Sequence, residues 1–170
     1  LFAGFRQKVM ADEDTWTVLE RPADLAGLPA SIAAAAGAAA AERGVHAPGV
    51  IVNTRSSVDP FLMFSSRRDL REQVWRRFKM RGDNNDANDT KATIARIVTL
   101  RTTRARLLGY TSHAHLQMVD TMAKEPSAAQ ALMNRVWPAA LARVREDVAD
   151  MRLIAKAEGA PDTIEPWDYL

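Results

Sequence analysis

The chain has 170 residues, 47% of them hydrophobic, which suffices for one or two compact units. Its 23 Lys and Arg face 21 Asp and Glu, a net charge of +2 with the signs interspersed, and this excludes the one-sided basic footprint of a nucleic-acid binder. Cysteine is absent, so disulfides, thiolate nucleophiles and cysteine metal sites are excluded as well.

Leu1, Phe5 and Val9 recur every four residues and predict a first helix ending near Glu13. Thr15 to Leu19 is short, β-branched and aromatic, and is stopped by Pro22, so it reads as a strand. Pro29 and Ser31 open an alanine-rich helix that runs to Arg43 and stops at Gly44. Alanine favours helix but buries little area, so close backbone approach rather than large side chains must hold this helix in place. Gly49 to Asn53 reads as a second strand, and Pro60 to Phe64 as its continuation after a turn, giving a small ribbon.

Ser65 or Ser66 is the expected cap of a helix ending near Met80, with Leu70, Val74 and Phe78 on its core face. Arg67, Arg68, Arg71, Arg76, Arg77, Lys79 and Arg81 cluster there, but Asp69 and Glu72 lie among them, so the basic side is read as a solvated face. Arg81 to Asp89 is polar and rich in Gly, Asn and Asp, whose side chains favour turns; a mobile surface loop is expected. Asp89 then caps a helix carrying Ile94, Ile97, Val98, Ala105 and Leu108, closed by Gly109. Thr111 or Ser112 starts a shorter helix with Leu116, Val119 and Met122. Pro126 opens a long helix reaching Glu158, along which Trp137, Leu141, Val144, Val148, Met151 and Ala155 form an apolar stripe. Pro138 interrupts that stripe, so a kink or a join is expected. The tail Ile164 to Leu170 carries Trp167 and Tyr169, aromatics that need something to pack against.

The fold expected is therefore mainly α, a multi-helix segment with a small β ribbon, forming one segment over residues 1–170. Within it, residues 1–64 hold helices and short strands, and residues 65–170 are helical, with the long kinked helix near 126–158. No apolar run approaches the roughly 18 residues a membrane span needs. The chain opens on Leu1-Phe2-Ala3-Gly4-Phe5, without methionine or a signal-peptide pattern, and reads as a piece of a longer polypeptide.

Chemistry-bearing motifs are scarce. A catalytic zinc site takes three protein ligands, two of them often from H-E-x-x-H on one helical turn. His113 and His115 are two residues apart, about 200° around a helix, with no Glu in the required place. They read as surface or boundary histidines, and His46 before Pro48 as a loop residue. Asp83 to Asp89 resembles a calcium loop only superficially. Ala87 stands at a ligand position, and the twelfth residue from Asp83 is Ile94 rather than a bidentate Glu. Asn88-Asp89-Thr90 and Arg81-Gly82-Asp83 match a glycosylation acceptor and an adhesion tripeptide, motifs short enough to arise by chance. No G-x-S-x-G, Walker A or dinucleotide glycine pattern occurs.

The run Phe78 to Thr90, followed by Ile94 to Arg101 and Arg106-Leu107-Leu108-Gly109-Tyr110, resembles the bacterial peptidyl-dipeptidases of the thimet oligopeptidase family. Asp24 to Pro29, Pro60 to Met63, Met122-Ala123-Lys124, Pro126 and Glu165 to Asp168 resemble it too, in the family's order along nearly the whole chain. The resemblance implies a segment of a large, two-lobed helical zinc metallopeptidase with a deep channel that admits short peptides. It implies zinc on H-E-x-x-H plus a later Glu, all downstream of Leu170. No catalytic, metal, cofactor or substrate residue is therefore assigned to this sequence. The expected role is structural, part of the channel wall of an enzyme that releases C-terminal dipeptides, with the chain alone inactive. Its partners are the catalytic lobe of the same polypeptide and, in the whole enzyme, a short peptide, with no nucleic acid or membrane. The expected compartment is the cytoplasm, the periplasm staying open. The competing reading is an independent helical interaction module. Glu125 replaces the capping Thr or Ser the family often has before Pro126, so that helix start is expected to be weak.

Overall fold

The computed structural model describes residues 1–169 and divides them into two units, residues 1–93 with the terminal stretch from Glu165, and residues 94–164.

In the first unit, the helix of the opening segment is α1 (Phe2–Glu13) and leads into strand β1 (Trp16–Leu19). β1 pairs antiparallel with β2 (Gly49–Val52), Trp16 opposite Val52 and Leu19 opposite Gly49. The Asn53 N–H donates to the Thr15 carbonyl at 2.9 Å and extends the ladder by one pair. Alternation buries Thr17 and Leu19 while Trp16 and Val18 stay half-buried. The alanine helix, α2 (Ala30–Glu42), lies against β2. A Cβ on Gly49 would stand 2.9 Å from the Ala36 Cβ, so this contact admits only glycine against alanine. That is the close approach the small side chains require.

The expectation of a strand at Pro60 to Phe64 is corrected. These residues end helix α3 (Arg55–Phe64), which carries Pro60 inside it. Five consecutive apolar residues do not distinguish strand from helix. The deciding period begins upstream, where Val58, Phe61 and Leu62 at i, i+3 and i+4 are all buried. Ser57 Oγ, in the first turn of α3, accepts the Val52 N–H at 3.1 Å and covers the end of β2.

Helix α4 (Arg68–Lys79) buries Leu70 and Val74 and half-buries Phe78. Neither Ser65 nor Ser66 caps it. Its N-cap is Arg67, without a side-chain cap bond, while Ser65 Oγ accepts the Arg67 N–H at 3.2 Å. One apolar cluster joins β1, α2, β2, α3 and α4 through Leu19, Ala36, Ile51, Val58, Phe61 and Leu70, and Trp167 from the far end of the chain belongs to it. Trp167 sits in a 3-10 turn, Pro166–Asp168, held against α4.

Helix α5 (Lys91–Leu107) begins where Asp89 Oδ1 accepts the Lys91 N–H at 2.9 Å, an Asx turn; Thr90 and not the anticipated Asp89 immediately precedes the helix. The second unit takes in α5 from Ile94, a short α6 (His113–Met118) and the 32-residue α7 (Pro126–Ala157). Ser112 caps α6 by accepting the His115 N–H. Glu125 stands at the N-cap of α7 without a side-chain cap bond, as expected of that substitution. α7 runs without a join through Pro138. Among residues 94–164 only Ile97 and Ala105 are fully buried, and α7 buries none of its residues. Of the apolar stripe, Leu141, Val148, Met151 and Ala155 are half-buried, while Trp137 and Val144 stand exposed. No described helix is long and apolar enough to cross a membrane.

Candidate functional site

The polar run after α4 is held from below. Asp12, at the end of α1 and 4% exposed, takes the Gly82 N–H on Oδ2 at 2.6 Å, Asn84 Nδ2 on the same oxygen at 3.0 Å and Asn88 Nδ2 on Oδ1 at 3.1 Å. Three donors compensate the burial of one carboxylate. Gly82 has φ +73° and any Cβ there would lie 2.9 Å from the Thr90 side chain, so the turn needs glycine. Thr90 donates its hydroxyl to the Gly82 carbonyl at 2.8 Å, and Lys8 Nζ donates to the Asp89 carbonyl at 2.8 Å. The loop expected to be mobile is thus tied to α1 at several points. Arg81 is engaged too, donating to Glu13 at 2.5 Å with its guanidinium 3.9 Å from the Phe78 ring.

The basic face of α4 is likewise not merely solvated. Arg67 pairs with Asp24, a residue 3% exposed in the turn after β1, and with Asp69. Burial pushes the Asp24 carboxyl up, but its hydrogen bonds and the charges of Arg21 and Arg67 hold it below the ordinary aspartate value. Arg68 donates Nε and Nη2 to Asp168 Oδ2 at 3.0 and 2.7 Å, and Arg71 Nη2 donates to Oδ1 at 2.7 Å. Burial again opposes ionisation of Asp168, and the hydrogen bonds from Arg68 and Arg71 outweigh it, lowering its pKa. Arg71 Nε donates to the Trp167 carbonyl at 3.1 Å, Trp167 meets Trp75 edge to face at 5.7 Å, and the Arg76 guanidinium lies 5.1 Å over its ring. Lys79 is exposed but sets Nζ 6.0 and 5.9 Å from the Trp75 and Phe78 ring centroids, and Arg77 keeps to the exposed position read from the pattern.

The histidines do not converge. His46 is an exposed loop residue. His115 sets Nδ1 between the hydroxyls of Thr111 and Ser112, at 3.0 and 2.8 Å, with Nε2 3.8 Å from Glu125. His113 has a buried Nδ1 without a partner. Among the described residues no three His, Asp or Glu side chains are grouped to hold a metal ion. The donor set for the zinc that the resemblance implies is not assembled among the described residues.

Sequence reasoning missed the Asp12 anchor and the Asp168 bridge. Asp12 lacks any local signal, since its partners lie 70 to 76 residues away. Asp168 adjoins an aromatic that had to pack somewhere, but nothing local named Arg68 and Arg71 as its partners.

The second unit presents its apolar surface on α7. Leu132, Met133, Val136 and Trp137 are 54%, 55%, 56% and 67% exposed, and Leu153 and Ile154 repeat the pattern a few turns on. With Ala140, the first four line a shallow apolar depression. A monomer seldom leaves so continuous a patch open.

The chain is similar to proteins of known family. Residues 61–170 match the model of peptidase family M3. The dipeptidyl carboxypeptidase of Escherichia coli K12 is 32% identical over 170 residues, 99% of this chain and 25% of its own length. Organellar oligopeptidase A of Arabidopsis thaliana is 31% identical over 156 residues, 85% of this chain and 19% of its own. Oligopeptidase A of E. coli K12 is 28% identical over 158 residues, 90% of this chain and 23% of its own. The chain spans about a quarter of the length of these relatives or less. With more than half of its residues under the family model, and with the mainly helical fold that the resemblance implied, the chain belongs to peptidase family M3.

Proposed function

We propose that this chain is a non-catalytic scaffold segment, part of the channel wall, of an M3 peptidase that hydrolyses short peptides and releases dipeptides from their C-terminal end. The observation that carries the reading is the match across 99% of the chain to a dipeptidyl carboxypeptidase four times as long. In this reading the zinc ion, its ligands and the group that activates water belong to polypeptide outside these 170 residues, and metal-assisted attack of water is the reaction. The partners are the catalytic lobe of the same polypeptide and a short peptide substrate. Nucleic acid and membrane have no part, and the cytoplasm is the compartment proposed.

The exposed face of α7 supports the scaffold over a free-standing interaction module. A module would combine a packed Trp167 with a polar surface. Here Trp167 is packed, yet Trp137 and Leu153 remain two-thirds exposed. The test uses a fluorogenic peptide with a free C-terminal carboxylate. The whole gene product is expected to cleave it and to lose activity to a chelator, whereas residues 1–170 with added zinc give no turnover. Chelator-sensitive cleavage by the purified 170-residue chain defeats the proposal, as does a gene with no H-E-x-x-H beyond Leu170.

A further inference from the structure

An open cleft of about 580 Å³ lies within the first unit, lined by β1, by the exposed side of α4 and by the polar run that follows α4. The buried part of its lining holds polar groups short of partners. Thr17 is 7% exposed, and its hydroxyl makes no hydrogen bond among the described residues. Asn53, 2% exposed, donates its amide to the Asp12 carbonyl at 2.9 Å and leaves Oδ1 without a partner. The outer part of the lining holds two opposite charges that do not meet. Arg77, in the last turn of α4, forms no ion pair among the described residues, whereas Arg67, Arg68, Arg71 and Arg76 of the same stretch all do. Asp86 forms none either, although Asp83 and Asp89 on its two sides share Lys91. Met80 adds an apolar side chain to the same lining.

A solvated charge standing alone is ordinary, because water satisfies it. A cation and an anion that line one cleft without pairing, with a hydroxyl free beneath them, complement a molecule that carries both charges at its own two ends. We propose that this cleft binds a short peptide with both termini free, its carboxylate on Arg77 and its ammonium on Asp86. The guanidinium takes the carboxylate through charge-assisted hydrogen bonds, and the Thr17 hydroxyl meets the peptide bond. Small-ligand sites run from roughly 300 to 1,000 Å³, and the cleft falls in that range. What it reads is the pair of termini, so selectivity for side chains is weak. A peptidase that releases dipeptides makes this class of zwitterion; the inference rests on that reading for the source of the ligand and not for the site.

The test follows the amide resonances of the isotope-labelled 170-residue chain by NMR as alanyl-leucine is added. Alanyl-leucine amide and N-acetyl-alanyl-leucine serve as ligands with one charge removed. No zinc is present and no turnover is read, so absence of binding leaves the peptidase reading intact, and absence of peptidase activity leaves this result intact. The dipeptide is expected to shift the amides of Thr17, Arg77 and Asp86 saturably. Arg77→Gln and Asp86→Asn, both at exposed positions, are each expected to weaken binding by about tenfold, as loss of a hydrogen bond to a charged group requires. The amide should bind weakly and be indifferent to Arg77→Gln, and the N-acetyl form should be indifferent to Asp86→Asn, which assigns each end of the ligand to its partner. Lack of saturable shifts in the folded chain overturns the proposal. Equal affinity for the dipeptide and its amide overturns it too, as does unchanged affinity in both charge variants. Should the 170-residue chain give no folded spectrum, calorimetry on the whole gene product with the same ligands and variants decides by the same criteria.

Discussion

Asp168 shows how one side chain ties residues far apart in sequence through charge. Its carboxylate accepts from two arginines, Arg68 and Arg71, which lie 100 and 97 residues back along the chain. Because its pKa is lowered in the folded chain, the unfolded chain binds more protons in the interval below the ordinary value near 3.8, and stability rises with pH there. The contribution is present above about pH 4 and is lost as pH falls through the depressed folded value. Asp24, lowered beside Arg21 and Arg67, acts in the same direction. Thermal melts from pH 6 to pH 3 should therefore show the unmodified chain more stable than Asp168→Asn at pH 6, with the gap narrowing as the pH falls below the ordinary aspartate value. A gap of constant size down to pH 3 would assign the effect to packing instead of charge.

At the scale of elements, the legible parts were those whose signal is local. The bounds of α1, β1, α2 and β2 follow from periodicity, proline and glycine, and α7 starts at Pro126 as its pattern dictates. α3 was illegible because its apolar run is helical only when Val58 is counted with it, and because Pro60 argues for a break that tertiary packing overrides. Pro138 poses the same conflict in α7. The helix continues through it, yet a proline leaves the Asn134 carbonyl without its donor from four residues on. Pro138→Ala restores that donor at an exposed position, so it should stabilise α7 by about 1 to 3 kcal/mol, moderated by the greater freedom alanine gives the unfolded chain. A higher melting temperature with increased helical signal is the expected result. A lower one would mean that α7 depends on the shape proline imposes.

For the whole molecule, burial is uneven between the two units. The first has a core of Leu19, Phe61, Val50, Val58 and Val74, each essentially inaccessible, while the second fully buries only Ile97 and Ala105. The candidate site was illegible for a related reason, since the family motifs identify the polypeptide without marking any residue here as a ligand, and the proposed reading puts the groups that bind metal and substrate elsewhere. The unsatisfied surface of α7 is where that reading can be measured. Of the four tryptophans, Trp137 alone is exposed, at 67%, while Trp16 and Trp75 are half-buried and Trp167 is 6% exposed. Iodide should quench Trp137 preferentially in the 170-residue chain, and Trp137→Phe should remove most of the quenchable emission. If α7 faces the rest of an M3 peptidase, Trp137 in the whole gene product is covered, and the emission difference between that protein and its Trp137→Phe variant becomes insensitive to iodide. Quenching of Trp137 in the whole protein as strong as in the 170-residue chain would show that nothing covers this face, and would return α7 to the role of an open interaction surface.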